Sequence, residues 1–177
     1  ERIRELRDHS EIRIEKFRNT MRSKREDRQD KIYLKEKKHL LPLSTRELYL
    51  GGLFLYWGEG LKATRSTLSL SNTNPRMILF YFMWLKKALG VPKKDISIRL
   101  HLYSDMDIDK ETNYWSKLLK VPLTKFLKPY IKLTTLSGLT YKGFGHGTCN
   151  VMVNDTNLTE KVLLGIKAVS ETTPGLL

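Results

Sequence analysis

The 177-residue sequence has a single cysteine, Cys149, so it can form no internal disulfide. No Cys/His cluster has the spacing of a zinc site. A reducing intracellular compartment, cytoplasm or nucleoid, is the expected setting. Long hydrophobic runs are also missing. The longest, LYLGGLFLYWG and MILFYFMWL, are too short to span a bilayer, and no signal peptide is recognisable. Neither a membrane nor a small-molecule cofactor is expected as a partner. Acidic residues are scarce, with 19 Asp and Glu against 32 Lys and Arg, a net charge of +13. That excess points to a polyanion, nucleic acid before anionic membrane. The alternative is a merely soluble basic protein. With 40% hydrophobic residues, disorder throughout is excluded.

The chain divides by composition. Residues 1–40 lack glycine and proline and hold 14 Lys/Arg and 9 Asp/Glu. Their large apolar residues are few, among them Ile3, Leu6, Ile12, Ile14, Phe17 and Met21. This segment reads as one or two long charged helices with a thin apolar stripe, or as a basic arm. It is either a solvated linker or a helix that contacts nucleic acid or braces a dimer. Leu40-Leu41-Pro42 closes it, giving an extension over 1–42 and a domain over 43–177.

The domain opens on a well-marked helix start. Ser44 and Glu47 form a capping box, with Leu43 and Leu48 as the hydrophobic staple, and a helix over 45–58 is predicted. Residues 60–73 alternate as a strand, Leu68 and Leu70 on one side and Thr67, Ser69 and Ser71 on the other, with room for a hairpin turning near 63–66. Asn74-Pro75 starts a helix that runs to Gly90. In ISIRLHLYS, Ile96, Ile98, Leu100 and Leu102 alternate with Ser97, Arg99, His101 and Tyr103. A helix over 107–120 follows, then extended chain in PLTKFLKPYIKL and a Gly-rich loop over 138–147. The strand TCNVMVN turns Cys149, Val151 and Val153 inward, and a last helix covers 157–169. The pattern is α+β, one sheet face covered by helices and the other polar.

LYLGGLFLYWGEG raises a separate question, because each helical glycine costs about 1 kcal/mol against alanine. At about 100° per residue, Leu48, Gly51, Gly52, Leu55, Gly58 and Glu59 share one smooth arc. Tyr49, Leu50, Leu53, Phe54, Tyr56 and Trp57 form a bulky arc suited to a core. Small residues permit close approach of another backbone. A second copy of the same helix would set two Glu59 carboxylates side by side, and a divalent cation would relieve their repulsion. The alternative is that Gly58 and Gly60 only end the helix and Glu59 is a solvated turn residue.

A helix ending in Gly58-Glu59-Gly60, followed by strand, helix, strand, strand and helix, resembles the LAGLIDADG homing-endonuclease family over about residues 44–170. LYWGEG, NPRMILFYFMWL, YWSKLLKVPL and FLKPYIK resemble a bacterial, single-motif subgroup of that family. The resemblance implies an αββαββα domain with a helical insertion between the last strands, behind the charged N-terminal helical extension. It implies a homodimer through Leu48, Gly51, Gly52, Leu55 and Gly58, a sheet seated on double-stranded DNA, and Mg²⁺ at Glu59. It also implies a basic residue near the scissile phosphate, for which Lys132 or Lys128 is the candidate. Two departures stand out: the family's first small position falls on Phe54, and the helix over 107–120 interrupts the second strand pair.

On this reading the polar sheet face carries Thr67, Ser69, Ser71, Ser97, Arg99, His101, Tyr103, Asn150, Met152 and Asn154, residue types able to read base edges. Phosphate contacts fall to Lys62, Arg65, Lys125, Lys128, Lys132 and Lys142. From Gly60 to Lys142 the chain has 15 Lys/Arg and 5 Asp/Glu. An ordinary solvated face is the alternative. His146 reads as a loop residue. Asp105, Asp107 and Asp109 have calcium-loop spacing without its later Gly and Glu, so Asp107 or Asp109 reads as a helix cap. The functional expectation is Mg²⁺-dependent, sequence-specific cleavage of double-stranded DNA by a homodimer. Its rivals are a non-cleaving transcriptional regulator on the same fold and an RNA-binding intron-splicing factor.

Overall fold

The computed structural model describes residues 2–135 and 145–172, with side chains from residue 11 onward. Contacts divide the chain into two units, Glu1–Leu43 and Ser44–Leu177. The first unit is one continuous helix, α1 (Arg2–Leu40), of 39 residues. From residue 11 to residue 40 every side chain is exposed, as its charge-rich composition requires.

The second unit is α+β. Its elements run α2 (Thr45–Glu59), β1 (Thr67–Asn72), α3 (Pro75–Lys87), β2 (Ile96–Tyr103), α4 (Ile108–Leu119), β3 (Phe126–Lys132), β4 (Thr148–Asn154) and α5 (Thr156–Thr172). Helix starts follow local chemistry. The Ser44 backbone N–H donates to Glu47 Oε2 at 2.7 Å, and the Glu47 N–H donates to Ser44 Oγ at 3.2 Å. Asn74 accepts from the Arg76 N–H ahead of Pro75, and Asp107 accepts from the Lys110 N–H. Asp107 is therefore the cap of α4. Among the described residues no helix is long and apolar enough to cross a membrane.

The four strands form one sheet in the order β1-β4-β2-β3. β4 pairs antiparallel with both β1 and β2, whereas β3 lies parallel to β2. Leu68, Leu70, Ile96, Ile98, Leu100, Leu102, Cys149, Val151 and Val153 are all buried on one face, under the helices. Period-two alternation is thus the organising signal of β1, β2 and β4.

The connectivity departs from αββαββα in two places. Residues 60–66 contribute one isolated bridge, Gly60 to Leu70, rather than a second strand. Pairing stops there because the chain folds back on α2. Lys62 Nζ donates to the Trp57 and Gly60 carbonyls at 2.9 and 2.8 Å, and the Tyr56 hydroxyl donates to the Leu61 carbonyl. The second departure is β3. A strand that leaves β2 through α4 returns by a crossover and pairs parallel. The register shifts opposite Arg99–His101, where Lys128 and Pro129 of the edge strand β3 face the single Leu100 of β2 as a bulge.

Helix α2 sits on both α3 and α5, in a rotation different from the one its sequence pattern implied. Leu48, Gly52, Leu53 and Tyr56 are buried, while Phe54 and Trp57 keep 50% and 40% of their surface. Trp84 of α3 fixes that rotation. Its indole lies over Gly52, where an added Cβ would stand 2.0 Å from Cδ1, and its Nε1–H donates to the Tyr49 carbonyl at 3.1 Å. Tyr56, Tyr81 and Trp84 then form a buried aromatic cluster with ring centroids 5.6 to 6.3 Å apart.

Candidate nucleic-acid interface

The sheet face away from the helices is where the sequence-predicted polar residues meet. Strand register aligns them in rows: Ser71, Asn150, Arg99 and Leu127; then Thr148, His101 and Tyr130; then Tyr103 and Lys132. Arg99 is exposed and Tyr130 keeps 59% of its surface. The His101 and Tyr130 rings meet edge-on with centroids 5.6 Å apart. Lys132 Nζ lies 5.3 Å from the centre of the Tyr103 ring, a cation–π contact. Partial burial, then Lys132 and Arg99, hold the His101 imidazole below its ordinary pKa. It therefore favours the neutral form, which can donate at one nitrogen and accept at the other.

At the β1 end the polar groups partly satisfy each other. Thr67 Oγ1 donates to Asn154 Oδ1 at 3.1 Å and Ser69 Oγ to Asn150 Oδ1 at 2.6 Å. Both asparagines keep their amide N–H₂ donors. Ser69 retains only 4% of its surface, so it orients Asn150 rather than facing a ligand. Ser97 and Met152 are half-buried opposite one another.

The residues assigned to phosphate divide differently. Lys62 satisfies carbonyls at the end of α2, where a cation also meets the negative end of the helix dipole. The Lys125 ammonium donates to the Lys94 carbonyl. Arg65 lines a cleft of about 330 Å³ with Glu160, Leu163, Leu164 and Lys167 of α5, on the helical side of the sheet. Lys142 lies outside the described residues. The open face itself therefore draws its positive charge from Arg99 and Lys132, with Lys128 exposed on the adjoining edge.

Glu59 ends α2 and is exposed; Asn72 Nδ2 donates to its Oε2 at 3.5 Å. Among the described residues no group of three or more His, Cys, Asp or Glu side chains gathers to hold a metal. One carboxylate offers two oxygens, whereas Mg²⁺ takes six oxygen ligands, commonly one or two carboxylates plus waters and phosphates. Within one chain Glu59 therefore supplies only part of the donor set that Mg²⁺ takes. Lys128 and Lys132 are not near Glu59 within one chain. Asn72 is on β1 and the lysines are on β3, at opposite edges of the sheet. Three strand spacings separate those edges, about 14 Å.

Of the five positions read as a dimer face, Leu48 and Gly52 are buried within the domain, whereas Gly51, Leu55 and Gly58 keep part of their surface. Gly51 faces Phe80, whose Cζ would lie 3.2 Å from an added Cβ, and a Cβ on Gly58 would meet nothing within 4 Å. Beside them Phe54 and Trp57 stack in the open, ring centroids 6.3 Å apart. The free face of α2 is thus centred nearer Phe54 than Leu55. Gly60 has its own local reason: a Cβ there would stand 2.3 Å from the Tyr56 ring.

One cluster was not foreseen. His146 Nδ1 lies 2.6 Å from Oε2 of the buried Glu111, and its ring stacks on Tyr114 with centroids 3.5 Å apart. The Trp115 Nε1–H donates to the His146 carbonyl at 2.8 Å. These contacts clamp the start of β4 to α4. Glu111 and Trp115 are four residues apart on one helix face, but their partner lies in another element, so local spacing carries no sign of it. The chain matches no protein-family model, no curated protein and no solved structure.

Proposed function

We propose that the Ser44–Leu177 unit binds double-stranded DNA with the open face of its sheet and acts as a LAGLIDADG-type homodimer that hydrolyses phosphodiesters. The observation that carries the reading is the alignment of Arg99, His101, Tyr103, Tyr130 and Lys132 in neighbouring rows of that face. Arg99 and Asn150 supply bidentate donors and acceptors for base edges, while Lys132 supplies charge for phosphate. The twist of a sheet suits it to the curved floor of a major groove.

The homodimer rests on the exposed Phe54, Trp57 and Gly58 and the half-buried Leu55 of α2, an apolar strip that a second α2 would cover. In that pairing the two Glu59 carboxylates would hold Mg²⁺, which supplies Lewis-acid stabilisation of a phosphate and a low-pKa water. Lys132 and Lys128 would serve the backbone away from Glu59 of their own chain.

A binding-only regulator is the second reading. It is favoured by the separation of Glu59 from both lysines and by the lack, among the described residues, of any group of three or more His, Cys, Asp or Glu side chains that could hold a metal. The deciding experiment selects duplexes from a randomised library and incubates the winners with Mg²⁺, comparing wild type with Glu59→Gln. Cleavage by wild type alone supports the nuclease. Specific binding with no cleavage by either protein favours the regulator.

A further inference from the structure

α1 is exposed from residue 11 to residue 40, and its charges are not evenly spread around it. At about 100° per residue, Glu11, Glu15, Glu26, Asp27, Asp30 and Glu36 all fall on one half of the helix. The remaining arc, roughly 180° wide, carries no acid. Through it runs a stripe spaced three and four residues apart: Phe17 and Met21, then Lys24, Arg28, Lys31, Lys35 and Lys38. The five cations of the second part span about 21 Å along one line.

Three occupants compete for this stripe, and charge separates them. A second α1 would need these positions apolar, since they fall at the a and d sites of a heptad seam, and pairing would instead oppose lysine with lysine. A lipid surface would need an apolar face running beside the cations along the helix. Here only Ile32 shares the arc beside the cations, while the exposed Tyr33, Leu34 and Leu40 fall on the acidic half. A row of phosphates meets the pattern without either conflict. The major groove of B-DNA is about 12 Å wide and admits an α-helix, whereas that of an RNA duplex is deep and narrow.

We propose that the acid-free stripe of α1 is a second duplex-DNA-binding surface, engaging backbone phosphate through Lys24, Arg28, Lys31, Lys35 and Lys38. It belongs to the Glu1–Leu43 unit and the sheet to the Ser44–Leu177 unit, so it does not depend on the reading of the open sheet face. It gives a sheet-bound protein extra, sequence-independent affinity.

The test uses the full chain and a mixed-sequence 20-base-pair duplex. One variant carries Lys24→Gln, Arg28→Gln, Lys31→Gln and Lys35→Gln. A control carries Lys16→Gln, Arg18→Gln, Arg22→Gln and Lys37→Gln, the same loss of charge on the other side of the helix. Circular dichroism checks that both remain helical. The stripe variant is expected to lower the log–log salt slope of binding by about 3.6, at about 0.9 per lost phosphate contact, and the control by much less. Equal losses in both would reduce the effect to net charge and overturn the proposal. So would unchanged DNA binding alongside lost binding to phosphatidylserine vesicles. A parallel Arg99→Ala/Lys132→Ala variant separates the surfaces. If it binds normally while the stripe variant does not, the sheet reading fails and this one stands.

Discussion

The Trp84 indole occupies the space that a side chain on Gly52 would fill, with Cδ1 2.0 Å from an ideal Cβ. The glycine in the middle of α2 is therefore explained inside one chain. It lets α3 approach closely enough for Trp84 to reach the Tyr49 carbonyl. Gly52→Ala is expected to cost about 1–3 kcal/mol or more through overpacking, read as a fall in the urea midpoint.

Gly58 is the opposite case, because a Cβ there meets nothing within 4 Å. Gly58→Ala is expected to stabilise the dilute monomer by up to about 1 kcal/mol through helix propensity. In the proposed homodimer the same methyl enters the α2–α2 crossing and weakens it. Thermal melts at low concentration, with sedimentation at high concentration, read the two effects separately. A dimer of unchanged affinity would move the crossing away from Gly58.

Much of the core was legible in the sequence, and the limit of legibility is physical. Strands β1, β2 and β4 announce themselves because one buried face forces alternation, and the caps at Ser44, Asn74 and Asp107 announce the helices because they act within three residues. The rotation of α2 was not legible, since Trp84 sets it from 35 residues away. β3 has no clear alternation, and its Pro129 and lysines gave no hint that α4 would return it parallel to β2. Basic residues were countable, but not that Lys62 and Lys125 would turn to backbone carbonyls.

The Tyr81 hydroxyl is fully buried and makes no hydrogen bond among the described residues. An unsatisfied buried donor carries a desolvation cost. Tyr81→Phe is therefore expected to be neutral or stabilising by about 1 kcal/mol in denaturant unfolding. A clear loss of stability would reveal a partner for that hydroxyl.

His146→Ala leaves the buried Glu111 carboxylate without its 2.6 Å partner. The expected cost is about 1–3 kcal/mol, because a buried polar group loses its hydrogen-bond partner. The double variant Glu111→Gln/His146→Ala should recover part of it. Additive effects in this cycle would mean that the two side chains are not coupled.

His101 gives a pH dependence with a defined sign. Its folded pKa lies below the ordinary histidine value, chiefly through burial. Its contribution to stability is thus fully present above about pH 6.5 and is lost as pH falls from there through the folded value. Phosphates brought to the sheet would favour the charged imidazolium, so DNA binding should take up a proton and tighten as pH falls through that window. Affinity measured from pH 8 to pH 5.5 should show this trend in wild type and a flatter one in His101→Gln.

The central claim is that the open sheet face binds duplex DNA, and one titration addresses it most directly. Fluorescence anisotropy with a selected duplex compares wild type and Arg99→Ala/Lys132→Ala across a salt series. The expected result is at least tenfold weaker binding and a log–log salt slope reduced by about 1.8, at about 0.9 per cation. A folded double variant with unchanged affinity and slope would contradict the account.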